Sequence, residues 1–354
     1  MRATLPAALT ALVIACTPPA PASLAVAPLR QTDPVPDDAD DPAIWINARN
    51  PSRSLILGTN KTAAPRGGLY VFDLAGRTVG SVTGLDRPNN IDVEYGLATP
   101  AGPVDIAVTT ERLRHRLRVF RIGEHGLVAL DGGHGIPVLD GEQGDRREPM
   151  GIALYRRPRD GAVFAIVAPK NGSATGYLWQ YRLAADPVTG IVRGTLVRRF
   201  GRYSGTAEIE AVAVDDALGF VYYSDELFGV RKWRADPDGA GEDRELAVLG
   251  SDGFKQQREG IAVVPTGPDD GFVVVSDQIA GGSELRIFRR SPTGTNGQDV
   301  VAVVATQADS TDGLEIVPSG LAGDFAGGLL VMMNSRDRTF QLYRWADVMK
   351  HLPR

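Results

Sequence analysis

The sequence predicts an all-β chain folded as a six-bladed β-propeller, and three observations carry that reading. First, one short phrase, a polar residue, a small one and then alternating apolar ones, recurs six times. The copies are Asp41-Pro-Ala-Ile-Trp, Asn90-Ile-Asp-Val-Glu, Met150-Gly-Ile-Ala-Leu, Glu210-Ala-Val-Ala-Val, Glu259-Gly-Ile-Ala-Val and Asp312-Gly-Leu-Glu-Ile, spaced 49 to 60 residues apart. A near-regular period of that size marks a repeat architecture. Second, each phrase is followed by a turn rich in Gly, Asp or Pro, then a second apolar strand and a third that alternates. Third, no segment carries a long 3.6-residue apolar stripe, apart from the last few residues around Trp345 to Leu352.

The units read in order as follows. In the third, Ile152 to Tyr155, Ala162 to Ala168 and Tyr177 to Leu183 are the strands. The fourth is the clearest: Ala211 to Val214, the turn Asp215-Asp216-Ala217-Leu218-Gly219, Phe220 to Ser224, then Gly229 to Arg234. The fifth repeats it with Ile261 to Val264, a turn over 267–271, Phe272 to Ser276 and Leu285 to Arg289. Blades bury their faces only against one another, so the array is expected to fold as one unit.

With 43% hydrophobic and 23% charged residues among 354, the chain can bury a large core. A net charge of −5 with no basic stripe gives no case for a nucleic-acid partner. The start reads as an export leader: Arg2, then an apolar run from Leu5 to Ala15 too short to span a bilayer. Val13-Ile14-Ala15-Cys16 resembles a bacterial lipobox, and Ser23-Leu24-Ala25 offers ordinary cleavage; both routes stay open. The expected organisation is a leader over 1–25, a flexible Pro- and Ala-rich linker over 26–36, and a propeller domain over 37–350. Periplasmic or extracellular location follows, with Cys16 a candidate lipid anchor to the outer membrane. Cys16 is the single cysteine, which leaves the mature domain no disulfide, thiolate metal site or cysteine nucleophile. None of the four histidines, His115, His125, His134 and His351, is spaced as a zinc pair.

The polar ends of the repeats carry the functional information. Asp37, Asp38, Asp40, Asp41, Asp92, Glu210, Glu259, Asp309 and Asp312 cluster around the phrases; Asp225, Glu226 and Asp277, beside Gln278, follow second strands. In a propeller the acids at the phrase starts point together at one channel mouth. An oxygen-only donor set favours a hard cation such as Ca²⁺. There is no EF-hand loop, so such a site is assembled from separate blades. Lys61, Arg112 and Lys170 follow the second strands of the first three units at one structural step. Acids in blades four to six and bases in blades one to three predict a site with two faces, one for cations and one for anionic oxygens such as phosphate.

These residues resemble the β-propeller phytases (3-phytases, calcium-dependent alkaline phytases) over about residues 33 to 348. The stretches that carry the resemblance are Asp38-Ala-Asp-Asp-Pro-Ala-Ile-Trp45, Gly58-Thr-Asn-Lys61, Gly68-Leu-Tyr-Val-Phe-Asp-Leu74 and Arg87-Pro-Asn-Asn-Ile-Asp92. Glu210 with Asp215-Asp216, Glu259-Gly260 and Thr311-Asp-Gly313 complete them. The resemblance implies a six-bladed, calcium-dependent enzyme that hydrolyses phytate, myo-inositol hexakisphosphate, with water activated by several Ca²⁺ ions. Carried over by position, Glu210, Glu259, Asp92 and Asp41 are the implied catalytic acids. Asp40, Asp41, Asn90, Asp92, Glu210, Glu226, Glu259, Gln278 and Asp312 are the implied metal ligands, and Lys61, Arg112 and Lys170 the implied phosphate bases. The absence of Arg-His-Gly, Cys-x5-Arg and Asp-x-Asp-x-Thr/Val phosphotransferase motifs agrees.

Some positions depart from the family pattern. Thr62 stands where a second lysine is common, with Arg66 a candidate substitute; Met150 replaces a tyrosine and Gln257 an acid; the loop before Asp312 is shorter; Met333-Asn334-Ser335 replaces a Gln-Asp-Gly-like segment. The expectation is a working phytase with weaker or altered calcium demand, acting as a monomer on a small molecule without a protein partner. Two competing readings are a calcium-dependent lactonase or phosphotriesterase on a similar propeller, which would not need the three bases together, and a non-enzymatic calcium-binding propeller.

Overall fold

The computed structural model describes residues 24–124, 126–239, 244–291, 293 and 299–352. Cys16 and all of the expected leader but Leu24 and Ala25 lie outside that range, as does His125.

The described chain forms six sheets, one per repeat, arranged as the blades of a propeller. The inner strands are Ala39–Trp45, Pro88–Leu97, Pro149–Arg156, Val212–Asp215, Arg258–Pro265 and Leu314–Val317. The second strands are Leu55–Asn60, Val104–Glu111, Val163–Pro169, Phe220–Asp225, Gly271–Asp277 and Leu329–Asn334. Every second strand is nearly or wholly buried, as expected where both sheet faces are covered. The apolar side chains gather in six clusters, and each cluster draws on two neighbouring blades. A single blade could not bury its faces alone, so the ring holds together as one unit. The final apolar stripe forms a short helix, Trp345–Met349.

The segment expected as a flexible linker is held on the ring instead. Arg30–Gln31 is the outermost strand of blade six, pairing with Thr339–Arg344, and Leu24–Ala25 pairs parallel to Ala302–Ala305 on the edge of blade five. Val26 and Val35 are buried, and the backbone N–H groups of Leu29, Thr32 and Val35 bond to Leu342, Phe340 and Arg338. Blade six has only three strands of its own near the C-terminus. Its third strand would otherwise show an open edge, and the N-terminal segment covers it.

Two local devices recur around the ring. In five of the six blades the residue closing the second strand caps the loop leading to its own inner strand. Asn60 Oδ1 accepts from the N–H groups of Asp37 and Asp38, Glu111 from Asp86, Asp225 from Ser204, Asp277 from Lys255 and Gln256, and Asn334 from Asp309. The next residue, at the step out of the strand, donates its N–H to that same loop: Lys61 to Asp38, Arg112 to Arg87, Lys170 to Glu148, Glu226 to Glu208, Gln278 to Gln257 and Ser335 to Asp309. The chain order thus fixes six equivalent step side chains on one face.

Between blades, Asp215 at the end of the fourth inner strand grips Arg290, just past the third strand of blade five, with two bonds of 2.6 and 2.8 Å; both side chains are at most 1% exposed. Removing one partner leaves a buried charge alone, so R290A should cost about 3–5 kcal/mol in urea unfolding.

Candidate functional site

The paired registers define which residues ring the channel mouth. In the six blades Pro42, Ile91, Ile152, Val212, Ile261 and Leu314 each pair with the residue two before the end of the second strand. Two positions upstream stand Asp40, Asn89, Met150, Glu210, Glu259 and Asp312. The repeated phrase therefore begins one residue earlier than its sequence suggests in blades one and two. A bulge at this place adds one residue to the inner strand in blades one, two, three and five alike, between Ala39 and Pro42, Pro88 and Ile91, Pro149 and Ile152, and Arg258 and Ile261, so it does not set the first two blades apart; there the sequence phrase is matched one residue late, on Asp41 and Asn90. Asp40 and Asn89, not Asp41 and Asn90, occupy the ring.

The structure brings Asp40, Lys61, Glu210, Glu226, Glu259 and Asp312 within electrostatic reach of one another. Burial, reinforced by Glu210 and Asp312, pushes the Asp40 carboxyl well above the usual range, against the pull of Lys61. Burial with Glu226 and Glu210 does the same to Glu259. Asp312 rises to about 6, through burial and the charge of Glu210 against Lys61, and Glu226 to about 8, through burial and Glu210. Lys61 is the cation among them. Burial opposes its charge, but Asp40, Glu210 and Asp312 hold its ammonium protonated well above the ordinary lysine range. Its Nζ lies against Asp40 and 3.9 Å from Asp312. Gln278 donates to Asp312.

Asp41, Asn90 and Asp92 lie below the ring, on a central cavity of about 250 Å³ with Glu94, Asp216 and Glu315. Asp41 accepts from Ile91 N at 2.9 Å, Asp92 from Leu154 N at 2.6 Å, and Asp216 from Arg156 N at 3.0 Å. Each ties its inner strand to a neighbouring blade. Burial raises Asp41 well above the carboxylate range, Asp92 to about 7 and Glu315 to about 8; burial together with Asp216 raises Glu94 to about 9.

The two-faced site expected from the sequence is redrawn in one respect: Lys61 stands inside the acid ring. Arg112 and Lys170 hold the other side. Arg112 is buried, bonded through Nε to Glu148 at 2.7 Å, and Lys170 Nζ is 3.6 Å from Asp145. Glu208 joins the two sides and was missed in the sequence, because it lies outside the repeated phrase. Burial and Glu210 raise its pKa, while Arg112, Lys170 and Lys61 lower it. Asp225 and Asp277 are strand caps bound by Arg231 and Arg286, so their oxygens are already committed. Arg66 pairs with Asp37 at the rim, 70% exposed, away from the ring.

The donor set fits a hard cation in kind: every candidate atom is oxygen, with no cysteine or histidine among them. Both carboxylate oxygens of Asp40 are buried without a well-formed hydrogen bond. Buried acids that raise one another's pKa are short of positive charge. Among the described residues no three His, Cys, Asp or Glu side chains are already gathered at ligand spacing.

Without bound cation, these acids take up protons on folding, because their folded pKa values lie above the unfolded ones. Stability is then greatest below about pH 4.5 for these groups and falls as pH rises towards about 8, through the values of Asp312, Asp92 and Glu226. Urea unfolding in chelator should show this loss between pH 5 and pH 8; stability that rises across that interval would contradict the assignment.

A family model described as phytase matches residues 3–342. A 3-phytase of Bacillus subtilis (strain 168) is 26% identical over 341 residues, covering 91% of this chain and 84% of that protein. Among solved structures, the calcium-binding protein regucalcin from Agrobacterium tumefaciens str. C58 superposes with a TM-score of 0.53 at 11% identity, over 91% of this chain and 97% of its own. The β-propeller domain of Myceliophteria thermophila Cps50 (Swd1) gives 0.50 at 12% identity, over 86% and 83%. These two likenesses speak to the fold alone. The family match spans nearly the whole chain, and the protein belongs to the phytase family, as a phosphoric monoester hydrolase built on a six-bladed β-propeller.

Proposed function

We propose that the protein hydrolyses phytate in a calcium-dependent reaction, with acids of the ring holding the cations and Lys61, Arg112 and Lys170 holding phosphate. The observation that carries this reading is the crowd of buried and half-buried carboxylates from blades one, four, five and six, with Lys61 as the ammonium in their midst and two further bases across the mouth.

Asp40, Glu210, Glu226, Glu259 and Asp312, with Gln278, are the residues that would hold calcium at the mouth. Bound there, calcium would neutralise phosphate charge and make water a better nucleophile at neutral pH. The chain's own residues do the rest. Arg112 presents a guanidinium fixed on one side by Glu148, and Lys170 a more mobile ammonium. Together they orient one phosphate of a polyphosphorylated ring, and the ring's other phosphates supply binding energy for that orientation. Glu210, within reach of both Lys61 and Glu208, is placed to take a proton from the attacking water. Asp41 and Asp92, expected as catalytic, act here from below, by tying adjacent inner strands under the ring. We further propose export to the periplasm or the extracellular space, from the leader reading of residues 1–25.

The test is inorganic phosphate release from phytate with added calcium and with chelator. Release that needs calcium is expected; equal release in chelator would remove calcium from the reaction. E210Q should lose about a hundred-fold or more in kcat while keeping the wild-type circular dichroism. Full activity in that variant would take Glu210 out of the mechanism.

A further inference from the structure

Two side chains that belong to neither the ring nor the step occupy the same place in different blades and make the same kind of contact. Glu148 and Gln257 stand two residues before Met150 and Glu259, the ring positions of blades three and five. Their carbonyls accept the step N–H of their own blade, Lys170 at 2.8 Å and Gln278 at 3.0 Å. Their side chains reach the preceding blade. Glu148 Oε2 accepts from Nε of Arg112 at 2.7 Å, and Gln257 Nε2 donates to Oε2 of Glu226 at 2.9 Å. Arg112 and Glu226 are the step residues of blades two and four. The chemistry is complementary each time, a carboxylate for the guanidinium and an amide donor for the carboxylate. Glu208 holds the same position in blade four, within electrostatic reach of Lys170, the step residue of blade three.

We infer that this position is a cross-blade orienting position, and that Glu148 and Gln257 are positioning residues that fix Arg112 and Glu226 for the ligand. The inference rests on the proposed role of Arg112 in phosphate binding. A free arginine side chain would lose rotamer entropy on meeting phosphate; Glu148 has already removed much of that freedom. It takes the Nε–H, and Asn89 Oδ1 takes an Nη1–H at 3.4 Å, which leaves further N–H donors of the guanidinium for ligand oxygens. Because Glu148 also receives the backbone N–H of Lys170, one residue sets the separation of two phosphate bases. Gln257 explains a departure noted in the sequence: an acid there would confront Glu226 with like charge, whereas the amide gives it a hydrogen bond.

The test is a double-mutant cycle in the full chain, read as affinity for myo-inositol hexasulfate by calorimetry in calcium buffer and as KM for phytate, with folding checked by circular dichroism. E148A should weaken binding and raise KM about ten-fold, with kcat within about three-fold, as expected for the loss of a pre-set charged contact. E148Q, whose amide oxygen still accepts from Arg112, should recover most of that loss. In the R112A background, E148A should add nothing. A multiplicative defect in R112A/E148A, or an E148Q as poor as E148A, would overturn the inference. Binding indifferent to R112A itself would instead sink the phosphate-binding reading on which it stands.

Discussion

Five carboxylates and one ammonium at the mouth of a closed ring set the terms for everything else in this molecule. At an effective dielectric near 20, unit charges about 4 Å apart interact by about 4 kcal/mol, so a buried group of like charges is tolerable only if protonated or neutralised. Several buried acids elsewhere are neutralised by arginines: Asp131 by Arg118, Asp215 by Arg290, Asp225 by Arg231, Asp277 by Arg286. At the mouth the protein supplies Lys61 and leaves Asp40 without a well-formed hydrogen bond. The mouth acids share one lysine, where each of those others has an arginine of its own.

The ring produces this arrangement by repetition. Each blade delivers one residue at the head of its inner strand and one at the step after its second strand, tied by a backbone bond from the step to the residue two before the head, or three before it in blade six. The blades differ at these places: acids stand at the inner position of blades one, four, five and six, and bases at the step of blades one, two and three. Below them Asp41 and Asp92 spend their oxygens on backbone N–H groups of the next blade, so the floor of the site is also the joint between blades.

Much of this was legible in the sequence. The six phrases, the two strands after each and the shared step of Lys61, Arg112 and Lys170 all follow from period-2 alternation and turn chemistry. What escaped depends on geometry that alternation does not encode. Register against the second strand puts Asp40 and Asn89, not Asp41 and Asn90, level with Glu210 and Glu259; with two acids or two amides side by side, the alternating phrase is easily matched one residue late. Asp225 and Asp277 look like candidate ligands in a string of acids; only the backbone around them reveals caps. Glu208 and Glu148 gave no signal, because their importance comes from the neighbouring blade. The Pro-rich start read as a tether, yet the open edge of blade six gives it a strand to pair with.

The most direct test is calorimetric titration of the metal-free protein with calcium near pH 6, in two buffers of different ionisation enthalpy. If raised-pKa carboxyls are the ligands, binding must displace their protons, and the apparent enthalpy will differ between buffers by the heat of proton uptake. The account predicts calcium binding with net proton release, reduced in E226Q and D40N. Binding without proton release, or no binding by a folded protein, would contradict the claim that the buried acid ring exists for a cation.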